Sequence, residues 1–137
     1  MAGGWVRDKL LGRESEDIDI SLDDIKGIDF VKLVDAKINA GKNLFGTTKA
    51  NKNNSKHFMT SSLHIHGISI DFVNFWDFEN RDSYASKLAF AKEDALRRDI
   101  TINCMFYNIN ESKLEDFTGQ GLHDLRNGII RTPLTPV

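Results

Sequence analysis

The sequence has little cysteine, no long apolar run and no excess of positive charge, and each shortage excludes a class of protein. Its single cysteine, Cys104, excludes an internal disulfide framework and a cysteine-rich zinc site. No apolar run approaches the roughly twenty residues that a membrane-spanning helix needs. The first apolar stretch is interrupted by Arg7, Asp8 and Lys9, which does not fit a secretory signal. We therefore expect an intracellular protein that does not enter a membrane.

The charge balance argues against a stand-alone nucleic-acid-binding protein. The 137 residues include 18 basic and 20 acidic side chains, for a formal net charge of −2. Proteins that bind nucleic acids alone are usually basic, because neutralising phosphates supplies much of their affinity. If this chain acts on a nucleic acid, we expect another segment to hold that substrate. The length and the 40% apolar content fit one globular domain with a real core.

The N-terminal half predicts alternating helices and strands. Trp5 to Leu11 predict a short helix that ends at Gly12, and Asp17 to Leu22 predict a strand. Apolar residues then recur at helical spacing from Ile25 to Ile38. The next two predicted elements are the strands of a β-hairpin, from His57 to Ile65 and from Ile68 to Phe75, joined by His66-Gly67.

The C-terminal half predicts shorter elements with weaker signals. They are a helix from Glu93 to Asn108, a strand from Leu114 to Phe117 and a helix from Leu122 to Arg126, before Gly128. Thr101 and Ile102 weaken the helix prediction, because β-branched side chains lose rotamer freedom in a helix.

A glycine pair and an acidic pair carry the chemistry of the N-terminal segment. Gly3-Gly4 leads into the first predicted helix, where backbone amides could approach phosphate oxygens closely. Asp17 and Asp19 lie two apart in a predicted strand and therefore share a face. Asp71 occupies one face of a later apolar strand, so three carboxylates converge if these strands are neighbours. Such carboxylates can hold two divalent ions, and Mg²⁺ suits their oxygen atoms.

Each of these acidic residues also has a structural interpretation. Asp-x-Asp pairs are common at solvated strand edges and are a weak motif by themselves. Asp71 is costly to bury unless it is paired, neutralised or metal-bound. It could equally lie on the polar outer face of a half-exposed sheet.

Longer motifs resemble one family across nearly the whole chain. The first motif reads Gly3-Gly4-Trp5-Val6-Arg7-Asp8-Lys9-Leu10-Leu11-Gly12 and is followed by Asp17-Ile18-Asp19-Ile20. It resembles the opening motif of class II tRNA nucleotidyltransferases, the CCA-adding enzymes. Glu93-Asp94-Ala95-Leu96-Arg97-Arg98-Asp99-Ile100-Thr101-Ile102-Asn103 resembles their second motif. Gly121-Leu122-His123-Asp124-Leu125 and Arg131-Thr132-Pro133-Leu134 also resemble the catalytic head, most closely that of the fungal or eukaryotic enzymes.

The resemblance implies an α+β, polymerase-β-like nucleotidyltransferase head with a small mixed or antiparallel sheet flanked by helices. Residues 1–131 would form the head, and residues 132–137 would begin a linker to a neck domain. The family's usual helix and strand before the glycine pair, its base-selecting neck and its tRNA-gripping body would be absent, so we expect an incomplete head. In the implied reaction, the tRNA 3′-hydroxyl attacks the α-phosphate of CTP or ATP and pyrophosphate leaves.

The resemblance also implies a role for each matching residue. Asp17 and Asp19 would bind catalytic Mg²⁺ ions, with Asp71 as the third catalytic acid. The residues implied to bind the nucleotide are Gly3, Gly4, Arg7, Arg98, Asp99 and Asn103. Without the other motifs, Arg97-Arg98-Asp99 would be interpreted as a solvated, salt-bridged turn.

Two alternatives to the CCA-adding enzyme remain open. A bacterial-type poly(A) polymerase head shares these motifs and would use the same chemistry. A non-catalytic homologue could bind nucleotide weakly or act as one component of a split enzyme.

Overall fold

The computed structural model describes residues 1–39, 60–74 and 84–134. The chain divides into two compact units, Glu16–Glu79 and the combination of Met1–Ser15 with Asn80–Val137. We refer to them as the acidic unit and the basic unit, after the candidate residues that they carry. Each is described by itself.

The acidic unit is a three-stranded mixed sheet with one helix. Its elements are β1 (Asp17–Leu22), α2 (Gly27–Asn39), β2 (Thr60–Ile65) and β3 (Ile68–Asn74). The strand order is β1-β3-β2, in which β1 pairs with β3 in parallel and β2 pairs with β3 antiparallel. The predicted first strand and hairpin are confirmed over these ranges, and the outer ends of the predicted hairpin, at residues 57–59 and 75, lie outside the described residues.

One face of this sheet packs on α2 and forms the core of the acidic unit. Val31 of α2, Leu63 of β2 and Phe72 of β3 are buried together. The rings of Phe30 and Phe72 lie 5.1 Å apart between centroids in a tilted arrangement. Ile20 also joins this core, and it is the β1 partner of Phe72. Residues at alternate positions of β1 and β3 therefore belong to the opposite face.

The start of α2 is held against the end of β3 by an asparagine. The Asn74 side chain accepts a hydrogen bond from the Gly27 amide at 2.8 Å and donates one to the Ile25 carbonyl at 2.7 Å. A Cβ at Gly27 would lie 3.2 Å from the Phe72 carbonyl oxygen. A larger residue would push the helix away from the sheet, so glycine permits this close approach.

The basic unit combines short helices with a two-stranded antiparallel sheet. Its elements are α1 (Gly4–Leu10), α3 (Tyr84–Leu96), a 3-10 helix (Thr101–Asn103), β4 (Met105–Asn108), β5 (Lys113–Asp116) and α4 (Gly121–Asn127). The first residues of the chain run antiparallel to β4. The Met1 carbonyl accepts a hydrogen bond from the Tyr107 amide at 2.8 Å, and the Gly3 amide donates to the Met105 carbonyl at 3.2 Å. This pairing fixes the entry to α1.

The predicted helix from Glu93 to Asn108 is wrong. The helix ends at Leu96, Ile100 is extended, and the chain continues into β4. The Thr101 amide donates to the Arg131 carbonyl at 2.8 Å, so its partner lies outside any helix. Tertiary hydrogen bonds and β-branched residues thus outweigh the helical signal of the preceding segment. The other predicted elements of this unit are confirmed with ends shifted by one residue.

No helix within the three described stretches is both long and apolar enough to cross a membrane.

Candidate functional site

In the acidic unit, strand register places the predicted carboxylates on one face of the sheet. Asp19 of β1 is the direct partner of Asp71 of β3, and Asp17 is the partner of Ser69. Residues at the same register in neighbouring strands share a face, and adjacent strands lie about 4.8 Å apart. This face is opposite the one that carries Ile20 and Phe72. The two strands are neighbours, which is the stated condition for convergence of the acids.

The position of Asp71 shows how an acid fits into an apolar strand. Its neighbours Ile70 and Phe72 pack in the core, whereas Asp71 itself is half-buried on the other face. It is therefore not a buried charge inside the core, and its desolvation cost is limited.

The donor set of this face suits a divalent cation in chemistry and in register. Carboxylate oxygens are the ligands that Mg²⁺ prefers, and Asp19 and Asp71 present them from adjacent strands. Within the described residues, however, no group of three histidine, cysteine or acidic side chains is assembled closely enough to hold a metal. The strand register thus places Asp17, Asp19 and Asp71 on one face without assembling them into such a group.

In the basic unit, the glycine pair is adjacent to an arginine that is distant in sequence. Gly3 has a φ of +68°, which favours glycine, and a Cβ there would lie 2.6 Å from Nη1 of Arg98. Gly4 has no such constraint, because its Cβ would lie 3.5 Å from the nearest atom of Arg7, an ordinary contact. The two glycines therefore have different structural roles, which the sequence alone does not reveal.

Asn103 connects the remaining predicted nucleotide-binding residues. Its Oδ1 accepts a hydrogen bond from Arg7 Nη1 at 2.8 Å, and its Nδ2 donates to Asp99 Oδ1 at 3.2 Å. Its backbone carbonyl accepts from Arg98 Nη1 at 3.3 Å. The hydrogen bond from Asn103 is the main cause that lowers the pKa of Asp99. All six predicted nucleotide-binding residues belong to this unit, and hydrogen bonds link Arg7, Arg98, Asp99 and Asn103.

Sequence reasoning missed Asp94 and Asp8, which hold the two arginines. Arg7 Nε donates to Asp8 Oδ1 at 2.8 Å. Arg98 donates to Asp94 Oδ2 through Nε at 3.3 Å and Nη2 at 3.0 Å. The spacing of four residues between Asp94 and Arg98 is the sequence signal that could have identified this ion pair.

A buried acid supports the 3-10 helix that carries Asn103. Asp124 of α4 is fully buried and accepts a hydrogen bond from the Thr101 hydroxyl at 2.7 Å. Arg131 Nη2 lies 3.3 Å from the other carboxylate oxygen, and His123 Nδ1 lies 3.2 Å from it. The hydrogen bond from Thr101 is the largest influence on the pKa of Asp124 and lowers it. Thr101 is thus anchored two residues before Asn103.

Comparison with known proteins decides the family. Residues 1–131 match the family described as the Poly A polymerase head domain. The chain belongs to that family. Membership confirms the predicted polymerase-β-like α+β head and places the chain among nucleotidyltransferases.

Curated relatives include fungal enzymes of tRNA maturation. The chain is 48% identical to tRNA nucleotidyltransferase cca1 of Schizosaccharomyces pombe, over 97% of this chain and 28% of that protein. It is 40% identical to the mitochondrial CCA tRNA nucleotidyltransferase of Saccharomyces cerevisiae, over 98% of this chain and 26% of that protein. Poly(A) polymerase I of Salmonella typhimurium is 29% identical, over 96% of this chain and 28% of that protein. The chain thus spans less than a third of each of these relatives and resembles the tRNA nucleotidyltransferases named here more than this poly(A) polymerase.

Proposed function

We propose that this chain is the catalytic head of a CCA-adding tRNA nucleotidyltransferase, which transfers CMP and AMP from CTP and ATP to tRNA 3′ ends. The strand register that sets Asp19 opposite Asp71, with Asp17 on the same face, is the observation that carries the proposal. Similarity to tRNA nucleotidyltransferases over nearly the whole chain supports it. In this proposal, residues 1–131 are the head, and residues 132–137 begin a linker to a neck domain.

The acidic residues would hold magnesium. Asp17 and Asp19 would be its ligands, and Asp71 would be the third catalytic acid. Bound Mg²⁺ would supply charge neutralisation on the triphosphate and a lower pKa for the attacking 3′-hydroxyl. Carboxylates on a sheet that is anchored from its other face are suited to this role, because transfer of phosphoryl groups depends on fixed positions and charges.

The basic unit would bind the nucleotide. Arg7 and Arg98 offer forks of N–H donors that match phosphate oxygens. Asp99 and Asn103 carry the acceptor and amide groups that can contact a ribose hydroxyl. Gly3 keeps space for the Arg98 fork, whereas a Cβ at Gly4 would make only an ordinary contact with Arg7.

A second candidate function is nucleotide binding without stand-alone transfer. It is favoured by the charge balance of 18 basic and 20 acidic side chains, since tRNA would then be held by another segment. A poly(A) polymerase head is less favoured, because the identity to such an enzyme is lower.

Two measurements test the proposal. The first follows incorporation of labelled CTP or ATP into tRNA lacking its 3′ end, in the presence of Mg²⁺, with and without a separately supplied neck and body fragment. Incorporation supports the CCA-adding head, whereas extension by many adenylates would indicate a poly(A) polymerase. Nucleotide binding without incorporation by the chain alone would favour the second candidate, whether or not the supplied fragment restores incorporation.

The second measurement is magnesium-dependent binding of CTP and ATP by calorimetry. We expect Asp17→Asn and Asp19→Asn each to weaken binding by at least about tenfold, the lower range for lost support of a metal ion. Asp29→Asn is the matched control, because it makes the same charge change at an exposed position on α2 of the same unit. If Asp17→Asn and Asp19→Asn bind like the control, the metal assignment is wrong.

A further inference from the structure

One carboxylate at the end of α3 holds two consecutive arginines. Asp94 Oδ1 accepts a hydrogen bond from Arg97 Nη2 at 2.8 Å. Its Oδ2 accepts from both Nε and Nη2 of Arg98, as described above. The Asp94 side chain is only 18% exposed, so solvent screens these ion pairs less than it would at a fully exposed site.

The remaining contacts of Arg98 leave a defined part of its guanidinium available. Nη1 donates to the Asn103 carbonyl, and the guanidinium lies over the Phe106 ring at 5.2 Å from its centroid. An arginine has five N–H donors, of which these hydrogen bonds use three. Among the contacts of the described residues, one N–H on each terminal nitrogen of Arg98 is therefore left for a ligand.

The position of Asp94 determines which edge of the arginine is occupied. A carboxylate on the Nε–Nη2 edge fixes the plane of the guanidinium, so that the remaining donors point in one direction. A free arginine side chain would lose rotamer freedom on binding a phosphate, whereas a side chain that is already held loses less. The same carboxylate offsets the repulsion between Arg97 and Arg98.

We propose that Asp94 is a positioning residue that orients Arg98 for the nucleotide triphosphate and acts on binding only through that arginine. The inference rests on the proposed nucleotide-binding function and deepens it. Asp94 itself, as an anion, repels a triphosphate, so its contribution is indirect. Its removal should weaken nucleotide binding even though a negative charge has been taken away.

The direction of this effect separates positioning from simple electrostatics. Asp94→Asn keeps the shape of the side chain but loses the charge and one acceptor edge. We expect it to raise the dissociation constant for magnesium CTP and ATP by about tenfold, with Asp94→Glu recovering part of the loss. Glu93→Gln is the matched control, because it removes the same charge at the exposed adjacent position and should leave binding within twofold. Tighter or unchanged binding in folded Asp94→Asn would overturn the proposal.

A double-mutant cycle tests whether Asp94 acts through Arg98. Lysine cannot present two parallel donors to the carboxylate, so Arg98→Lys should weaken binding by itself. In that background, Asp94→Asn should add less than a twofold further loss, since the side chain that it orients is gone. Independent, multiplying losses would show that Asp94 affects the fold generally and would overturn the proposal.

A third readout does not depend on nucleotide binding. If the wild-type chain binds no CTP or ATP, the proposed function fails. The restraint on Arg98 can still be measured in that case, by the rate at which it reacts with phenylglyoxal, followed by mass spectrometry of the peptide. We expect Arg98 to react several-fold faster in Asp94→Asn than in wild type or Glu93→Gln. Equal rates in all three proteins would show that Asp94 does not restrain Arg98.

Discussion

The acidic unit and the basic unit position their candidate residues by different means. In the acidic unit, Asp19 and Asp71 face the same side because two strands pair in register, and the backbone alone accounts for their proximity. In the basic unit, Arg7 and Arg98 reach Asn103 through side-chain hydrogen bonds across up to 96 residues of sequence. Backbone register tolerates many side-chain changes, whereas a network of polar side chains depends on every member.

The two units should therefore differ in which substitutions disturb their candidate residues. The carboxylate face is the face of the sheet that carries Asp17, Asp19 and Asp71. Its geometry should depend mainly on the apolar core that holds the strands and helix together. The arginine network consists of Arg7, Arg98, Asp99 and Asn103. Its hydrogen bonds should respond to small changes beside it, including an added methyl group or a lost carboxylate. The following predictions test the two parts of this comparison, in order of expected effect on stability.

The largest effect is expected from the core beneath the carboxylate face. Phe72→Ala removes a buried ring that packs on Phe30 and Val31, and it should lower the free energy of unfolding by about 3–5 kcal/mol. Urea denaturation measures this change. Ile68→Ala on the same strand is the control, because Ile68 is 47% exposed and should cost less than about 1.5 kcal/mol. Equal costs at the two positions would show that this core does not anchor β3.

The glycine pair tests the sensitivity of the arginine network. Gly3→Ala introduces a side chain at positive φ, which should cost about 1–3 kcal/mol of stability, and it displaces the end of the Arg98 side chain, which should weaken nucleotide binding. Gly4→Ala should change stability by less than about 1 kcal/mol, because its Cβ meets only ordinary contacts and alanine favours a helix. Thermal unfolding and calorimetric titration compare them. Similar losses of stability in the two variants would contradict the distinction between these glycines.

The smallest effect is expected from protonation of the buried acid of the basic unit. Because the Thr101 hydroxyl lowers the pKa of folded Asp124, its contribution to stability is present above the unfolded pKa near 3.9 and is lost as the pH falls through the lower folded value. The stability advantage of wild type over Asp124→Asn should therefore be constant from pH 7 to about pH 5 and shrink below pH 4. Urea unfolding at each pH measures this trend. If the free energy of unfolding varies with pH in the same way in wild type and Asp124→Asn, then the pKa of Asp124 is the same in the folded and unfolded states. Thr101→Val removes the hydroxyl that lowers the pKa of Asp124. It should therefore also reduce the loss of unfolding free energy below pH 4.

Local patterns predicted most of the acidic unit. Alternation around Ile70 and Asp71 identified a strand with one apolar face, and His66-Gly67 identified the hairpin turn between β2 and β3. The parallel pairing of β1 with β3 joins residues about fifty positions apart, and no local signal encodes it. From the sequence, this pairing can be stated only as a condition, because the three acids can converge only if the two strands are neighbours.

The basic unit was harder to predict because its contacts are non-local. Leu96 ends a helix that the pattern would have continued, since the Thr101 amide bonds to the carbonyl of Arg131. The role of Asp94 is not predictable from the sequence, because it depends on the placement of Arg98 beside Gly3 and Asn103. Motif resemblance still selected Arg7, Arg98, Asp99 and Asn103 as one group, and the structure brings these four together.

The sequence by itself determined the family, the predicted reaction class and the residue types proposed to bind metal and phosphate. Motif order and spacing carry that information directly. Only the tertiary structure decided that Asp19 lies opposite Asp71, that Gly3 makes room for an arginine and that Asp94 accepts hydrogen bonds from it. The physical reason is that side-chain orientation depends on strand register and on polar partners that are distant in the chain, neither of which is expressed in a local pattern.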